Sequence, residues 1–284
     1  MARLPVALAL AFLGAAACGR GGEAEARTGP PRRVVSLAPS CTETLIELGL
    51  SDRLVGISDY CPDLPAGARA VRVGGLVNLN VEAILKLRPD LVLTVQNDED
   101  RSLATLRRQG VAVWARDPQS LEEVFESIAA LAELFQAAER GTSLVADLRA
   151  RVERVRADDI AARADGPAGA PRVYVEVDHP PCWTIGRRSF VHDALLAAGG
   201  VNVFGDVERG YVQVSQEELA ARAPDWVLVL HPIEAPLAQR AELSGLDAVK
   251  QGRVIADFDR DSLLRSSPRL VRGIELLAKR LRGR

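Results

Sequence analysis

From Ala138 to Ala164 the chain holds a single helical register: Leu144, Leu148, Val152 and Val155 recur at steps of three and four, with Glu, Asp and Arg on the other faces. At about 1.5 Å per residue such a helix reaches over 30 Å, the diameter of a small domain, so it can join two bodies. Asp165-Gly166-Pro167-Ala168-Gly169-Ala170-Pro171 then stops it. On both sides of this rod, β-branched apolar runs alternate with stretches of helical spacing, the pattern of parallel sheets covered by helices. Before it, strands are expected at 33–37, 54–58, 91–95 and 111–115, with a short extended piece at 71–73 and helices at 42–48, 81–87, 101–109 and 120–134. After it, strands are expected at 172–177, 226–230 and 254–258, with helices at 190–198 and 268–281. The expected fold is α/β, with one lobe at 33–137, a linking helix at 138–165 and a second lobe at 171–284.

The first residues follow a different logic. Arg3 precedes the apolar run Leu4 to Leu13, and Gly14-Ala15-Ala16-Ala17 leads into Cys18, which together read as an export signal. The small residues before Cys18 resemble a lipoprotein cleavage box, with Ala15 where Leu is more typical, so Cys18 is expected to carry lipid. A plain secretory cut after Ala17 is the alternative. Residues 19–32 are Gly, Pro and charge without apolar periodicity, which makes a flexible tether. No later run approaches the roughly 20 apolar residues of a membrane span. The expected location is therefore outside the cytoplasm, in the periplasm, with the membrane touched only through a lipid. A net charge of −2 offers no basic surplus for nucleic acid. Aromatic residues make up only 4% of the chain, so each Trp and Tyr weighs as core filler or ligand platform.

Several phrases resemble one family from about Arg33 to the C-terminus. They include Val34-Val35-Ser36-Leu37-Ala38-Pro39-Ser40-Cys41-Thr42-Glu43, Val55-Gly56-Ile57-Ser58-Asp59-Tyr60 and Asn80-Val81-Glu82-Ala83-Ile84. The second half adds Pro180-Pro181-Cys182-Trp183-Thr184-Ile185-Gly186, Ala198-Gly199-Gly200-Val201-Asn202-Val203-Phe204 and Val212-Gln213-Val214-Ser215-Gln216-Glu217-Glu218-Leu219. In order and spacing these resemble the cobalamin and iron-chelate binding proteins of ABC importers, most closely the cobalamin-binding branch. The resemblance implies two Rossmann-like lobes with parallel sheets, joined by one long helix, with the ligand cleft between them. It implies a monomer that passes its ligand to a permease dimer with its ATPase, and no cofactor beyond the transported ligand.

The resemblance places Tyr60 and Trp183 at the ligand, one from each lobe, each offering a flat face with a polar handle to a planar macrocycle. Tyr211 matches an aromatic position of the relatives. Tryptophans of cobalamin binders are replaced at Leu76, around Gln96 and at Ser262, which thins the aromatic cage. Arg187, Arg188, Arg260 and Arg265 could meet carboxylates or a phosphate, or could be surface charges. The resemblance also implies that Glu82 and Glu217, one at the first turn of a helix in each lobe, dock arginines of the permease, besides complementing their helix dipoles. Export favours disulfides, and Cys41 and Cys61 fall on loops at the same rim of the first lobe, so a bridge between them is expected. Cys182 is then unpaired beside Trp183. His179 and His231 follow strands of the second lobe and could ligate a haem or corrin metal; an isolated His is more often a structural residue. With Cys182 they could also hold a bare metal ion through N and S donors.

The expected function is capture of a cobalamin-like corrinoid for an importer, with an iron-siderophore or haem as the alternative ligand. An exported enzyme on the same lobes is the distant rival: the chain has no G-x-S-x-G elbow, H-E-x-x-H helix, Walker A loop or paired C-x-x-C. A lipid-anchored adhesin or sensor that kept the fold is a further possibility.

Overall fold

The computed structural model describes residues 29–75, 79–95, 101–164, 169–233 and 236–283. Cys18, the export signal, Leu76 and Gln96 lie outside the described residues. In the first lobe, β1 (Val34–Ser36), α1 (Pro39–Glu47), β2 (Leu54–Ile57), β3 (Val71–Arg72), α2 (Val81–Lys86), β4 (Leu91–Thr94), α3 (Arg101–Arg108) and β5 (Ala112–Ala115) follow in order. They form one parallel sheet of order β3-β2-β1-β4-β5. Its central strands β1 and β4 are buried throughout, as a parallel sheet covered by helices on both faces requires, while the edge strands β3 and β5 are more exposed. The strand order reverses between β1 and β4, so their carboxyl ends open the crevice where such sheets bind ligands.

Two helices then leave this lobe, α4 (Leu121–Leu134) and α5 (Ala138–Ala164). The Ser120 hydroxyl caps α4 by accepting from Glu123 N at 3.1 Å. The two helices approach so closely that a Cβ at Gly141 would lie 2.4 Å from Ala132 Cβ. Leu121, Val124, Phe125 and Ile128 of α4 join the core of the second lobe, whereas Leu131, Ala132 and Phe135 join that of the first. Leu144 of α5 packs against both cores. The connection is thus a pair of helices.

The second lobe contains β6 (Arg172–Asp178), β7 (Trp183–Ile185), α6 (Phe190–Ala197), β8 (Val201–Asn202), β9 (Tyr211–Gln213), α7 (Gln216–Arg222), β10 (Trp226–Val229), α8 (Ala241–Ser244), α9 (Asp247–Lys250), β11 (Val254–Ile255), α10 (Asp261–Leu264) and α11 (Arg269–Arg282). The strands β6, β10 and β11 run parallel, and β8 adds in parallel to the start of β6. The short strands β7 and β9 pair antiparallel beyond β6, an addition to the expected parallel sheet. Two or three residues are too few for a periodicity to show in sequence. The α5 helix is fastened here by Arg151, whose Nε and Nη2 donate to Glu275 of α11 at 2.8 and 2.9 Å. That bond holds the Glu275 carboxyl below the usual carboxylate range. Among the described residues, no helix is long and apolar enough to cross a membrane.

Candidate functional site

The lobes meet at the carboxyl ends of their strands, and a pocket at this junction is lined by Ser40 and Cys41 after β1, Val95 after β4, Trp114 of β5 and Ser266 of the second lobe. Trp114 escaped the sequence reading because an apolar residue in a strand reads as core. Tyr60, just after β2, is 63% exposed, with its ring against the Gly75 backbone, where a Cβ would sit 3.2 Å from Tyr60 Cε2. Trp183 is half-buried on β7, opposite Asp178 of β6 and Gln213 of β9. Tyr211 is half-exposed on β9, and burial together with the Asp117 carboxylate of the first lobe pushes its phenol up. The first lobe thus carries Tyr60 and Trp114, the latter packed on its core with the Arg116 guanidinium 5.9 Å from the ring centroid, and the second carries Trp183 and Tyr211.

Arg265 is committed elsewhere. Its Nη1 donates to Glu43 Oε1 across the lobes at 2.5 Å and its Nη2 to Asp261 at 2.6 Å. Ser267 Oγ donates to the other oxygen of Glu43 at 2.5 Å, and Arg269 stands 3.6 Å away. Glu43 on α1 thus accepts from two second-lobe donors, Arg265 and Ser267, with the Arg269 charge close by. Glu43→Ala is expected to lower the unfolding free energy by about 2–3 kcal/mol, read by urea titration, because charge-assisted bonds are lost and Arg265 keeps only Asp261. Ser262 is fully buried and donates to Asp259 O at 2.6 Å, so that position belongs to the core. Arg187 pairs with Glu208 at 3.2 Å on the surface.

The expected Cys41–Cys61 bridge is not formed, and both are free, buried thiols. Cys61 Sγ accepts from Thr42 Oγ1 at 3.1 Å and lies 3.2 Å from Ser58 Oγ. Burial, reinforced by Cys61, pushes the Cys41 thiol up to about 12. A thiol that stays protonated is a poor nucleophile toward a partner sulfur.

At the carboxyl ends of β6 and β10 lies a polar cluster that sequence reading saw only in part. Glu176 is completely buried, and it accepts from Arg240 Nη1 at 2.5 Å, Arg240 Nη2 at 3.0 Å and Tyr174 Oη at 3.2 Å. His231 Nε2 meets the same carboxylate at 2.6 Å, which commits that imidazole to a structural contact. His179 Nε2 lies 3.0 Å from Glu242 Oε1, and this contact holds the Glu242 carboxyl below its usual range. Arg240 Nη2 donates to Cys182 Sγ at 3.6 Å, while burial and then the Glu176 charge push the Cys182 thiol up.

Glu82 and Glu217 are exposed in the first turns of α2 and α7, which are capped by Asn80 and Ser215. Glu82 pairs with Lys86 one turn on at 2.7 Å.

A two-lobed α/β body with a helical connection has close counterparts among known proteins. An ABC transporter substrate-binding lipoprotein of Bacillus subtilis is 31% identical over 255 residues, covering 88% of this chain and 79% of its own. The periplasmic vitamin B12 binding protein BtuF of Vibrio cholerae superposes with a TM-score of 0.72 at 29% identity, over 89% of this chain and 97% of its own. The periplasmic haem-binding protein RhuT of Roseiflexus sp. RS-1 gives a TM-score of 0.75 at 27% identity, over 89% and 98%. These relatives are named as binding proteins. The periplasmic binding protein family model matches residues 34–259, well over half of the chain, and the chain belongs to that family.

Proposed function

We propose that the chain captures a cobalamin-like corrinoid between its lobes and delivers it, as the binding component of an ABC importer, to a membrane permease driven by an ATPase. What supports this reading is membership of a binding-protein family with a vitamin B12 binding protein among its similar structures, together with Tyr60, Trp183 and Tyr211, whose rings are left at least partly exposed on the two lobes. A planar macrocycle offers two faces to such rings, and a smaller polar chelate does not. Pairing of Arg265 with Glu43 shifts ligand contact onto aromatic and backbone groups. Lipid at Cys18 would hold the protein at the membrane, since each buried CH₂ contributes about 0.8 kcal/mol, and the tether at 19–32 would keep the cleft within reach of the permease. Packing of α4 and α5 into both lobes favours small closing motions over large swings.

Titration of the purified mature chain with cobalamin, cobinamide, haem and ferric siderophores, followed by Trp fluorescence and ligand absorbance, tests the reading. Cobalamin and cobinamide are expected to bind most tightly. Trp183→Ala is expected to weaken binding by about 1–3 kcal/mol, or roughly 5- to 150-fold, through lost stacking. Preference for haem or a siderophore would move the ligand to the iron-chelate branch, and tight binding of none would overturn capture of a chelate.

A further inference from the structure

We propose that His179, Cys182 and Glu242 form a zinc site in the second lobe, independent of which chelate the cleft holds. Their three ligand atoms lie within 4.8 Å of one another. Around a tetrahedral zinc, nitrogen, sulfur and oxygen donors stand roughly 3.3–3.6 Å apart given the usual bond lengths. Closing the cluster onto an ion thus takes side-chain adjustment of about an ångström. His179 and Cys182 come from the short connection between β6 and β7, where Pro180 and Pro181 fix two backbone φ angles between the donors. Glu242 comes from α8, the helix that packs beside them.

Charge and donor chemistry select the ion. One imidazole, one thiolate and one carboxylate form a mixed set that suits zinc and excludes magnesium or calcium, which take oxygen donors. A thiolate and a carboxylate balance a divalent cation. The nearby Arg240 adds no uncompensated charge, because both of its terminal nitrogens already donate to Glu176. The same Arg240 donates to Cys182 Sγ and so orients the sulfur. Cys182 is buried, whereas the His179 and Glu242 side chains are 21% and 35% exposed. The partial exposure of His179 and Glu242 gives the ion a way in from solvent.

The test is calorimetric titration of zinc into the full mature chain without a polyhistidine tag, with Co²⁺ as a spectroscopic substitute. One zinc per chain is expected, and the Co²⁺ form should show thiolate-to-metal charge-transfer absorption. Cys182→Ser should abolish that absorption, and Glu242→Gln, at a partly exposed position, should weaken zinc binding at least about tenfold. Circular dichroism without metal checks that both variants fold. Lack of zinc binding by the folded chain would overturn the site, as would zinc binding that survives both substitutions. Cobalamin or haem titration of the same variants separates the two readings: zinc loss with intact chelate binding leaves the cleft assignment untouched.

Discussion

Arg240→Met is expected to destabilise the protein by about 3–5 kcal/mol, the usual consequence of leaving one member of a buried ion pair unmatched. Glu176 is wholly excluded from solvent and takes two of its hydrogen bonds from this guanidinium. Met fills a similar volume, so the loss would be electrostatic and not a cavity. The remaining partners of Glu176 are the Tyr174 hydroxyl and the His231 ring, neither of which carries a fixed positive charge. Urea titration read by tryptophan fluorescence should show a lower midpoint, and a thermal scan a fall of about 10 °C or more. Glu176→Gln in the Arg240→Met background should recover part of the loss, since the neutral amide still accepts from Tyr174. That recovery is the coupling a double-mutant cycle measures between touching groups. A single-variant cost below about 1 kcal/mol would mean that water reaches Glu176 and that the network is no anchor of the lobe.

This network also marks where sequence reading stopped. The long α5 register and the two strand-helix alternations are local patterns of three, four or two residues, and they were legible at once. Glu176 sits in Val173-Tyr174-Val175-Glu176-Val177, where a charged residue reads as facing outward. The sheet is covered on both faces, and its partner Arg240 lies 64 residues away, so no local signal could pair them. Arg265 posed the same difficulty: as a cation near a cleft it read as a ligand contact, whereas Glu43, 222 residues distant, claims it. The fall of α4 between two cores was hidden because its apolar stripe is continuous, and only the fold divides Ile128 from Leu131. Tyr60 and Trp183 stood out in the sequence by chemistry and by position beside a strand end, and the structure leaves Tyr60 exposed and Trp183 half-buried. Of the metal-capable residues, His179 and His231 stood out by following strands and Cys182 as an unpaired thiol; Glu176 claims His231, and Glu242 reaches the other two only through the packing of α8.

Charge reversal at Glu82 and Glu217 together is expected to abolish uptake while leaving ligand binding within about twofold of the original. Each glutamate is exposed at the first turn of a helix, one on each lobe, as the docking role implied by the resemblance requires. The structural work of each is small, since an acidic first turn complements the helix dipole by only about 0.3–1 kcal/mol at an exposed site. The Glu82–Lys86 pair is a solvent-exposed i,i+4 contact, which contributes about 0.3–0.5 kcal/mol, and the Asn80 and Ser215 caps remain in place. In the docking that the resemblance implies, a lysine at either position would meet an arginine of the permease and replace attraction with repulsion, so transport should fall at least about 100-fold. Either single reversal should give an intermediate loss, because the other lobe still docks. The defect in capture by the permease should also ease as salt is raised, since screening weakens repulsion between exposed charges. Uptake of labelled ligand into proteoliposomes holding the permease, measured beside the binding titration, separates the two steps. Loss of ligand binding in the double variant would mean that these carboxylates serve the cleft, and full uptake would mean that the transporter grips another surface.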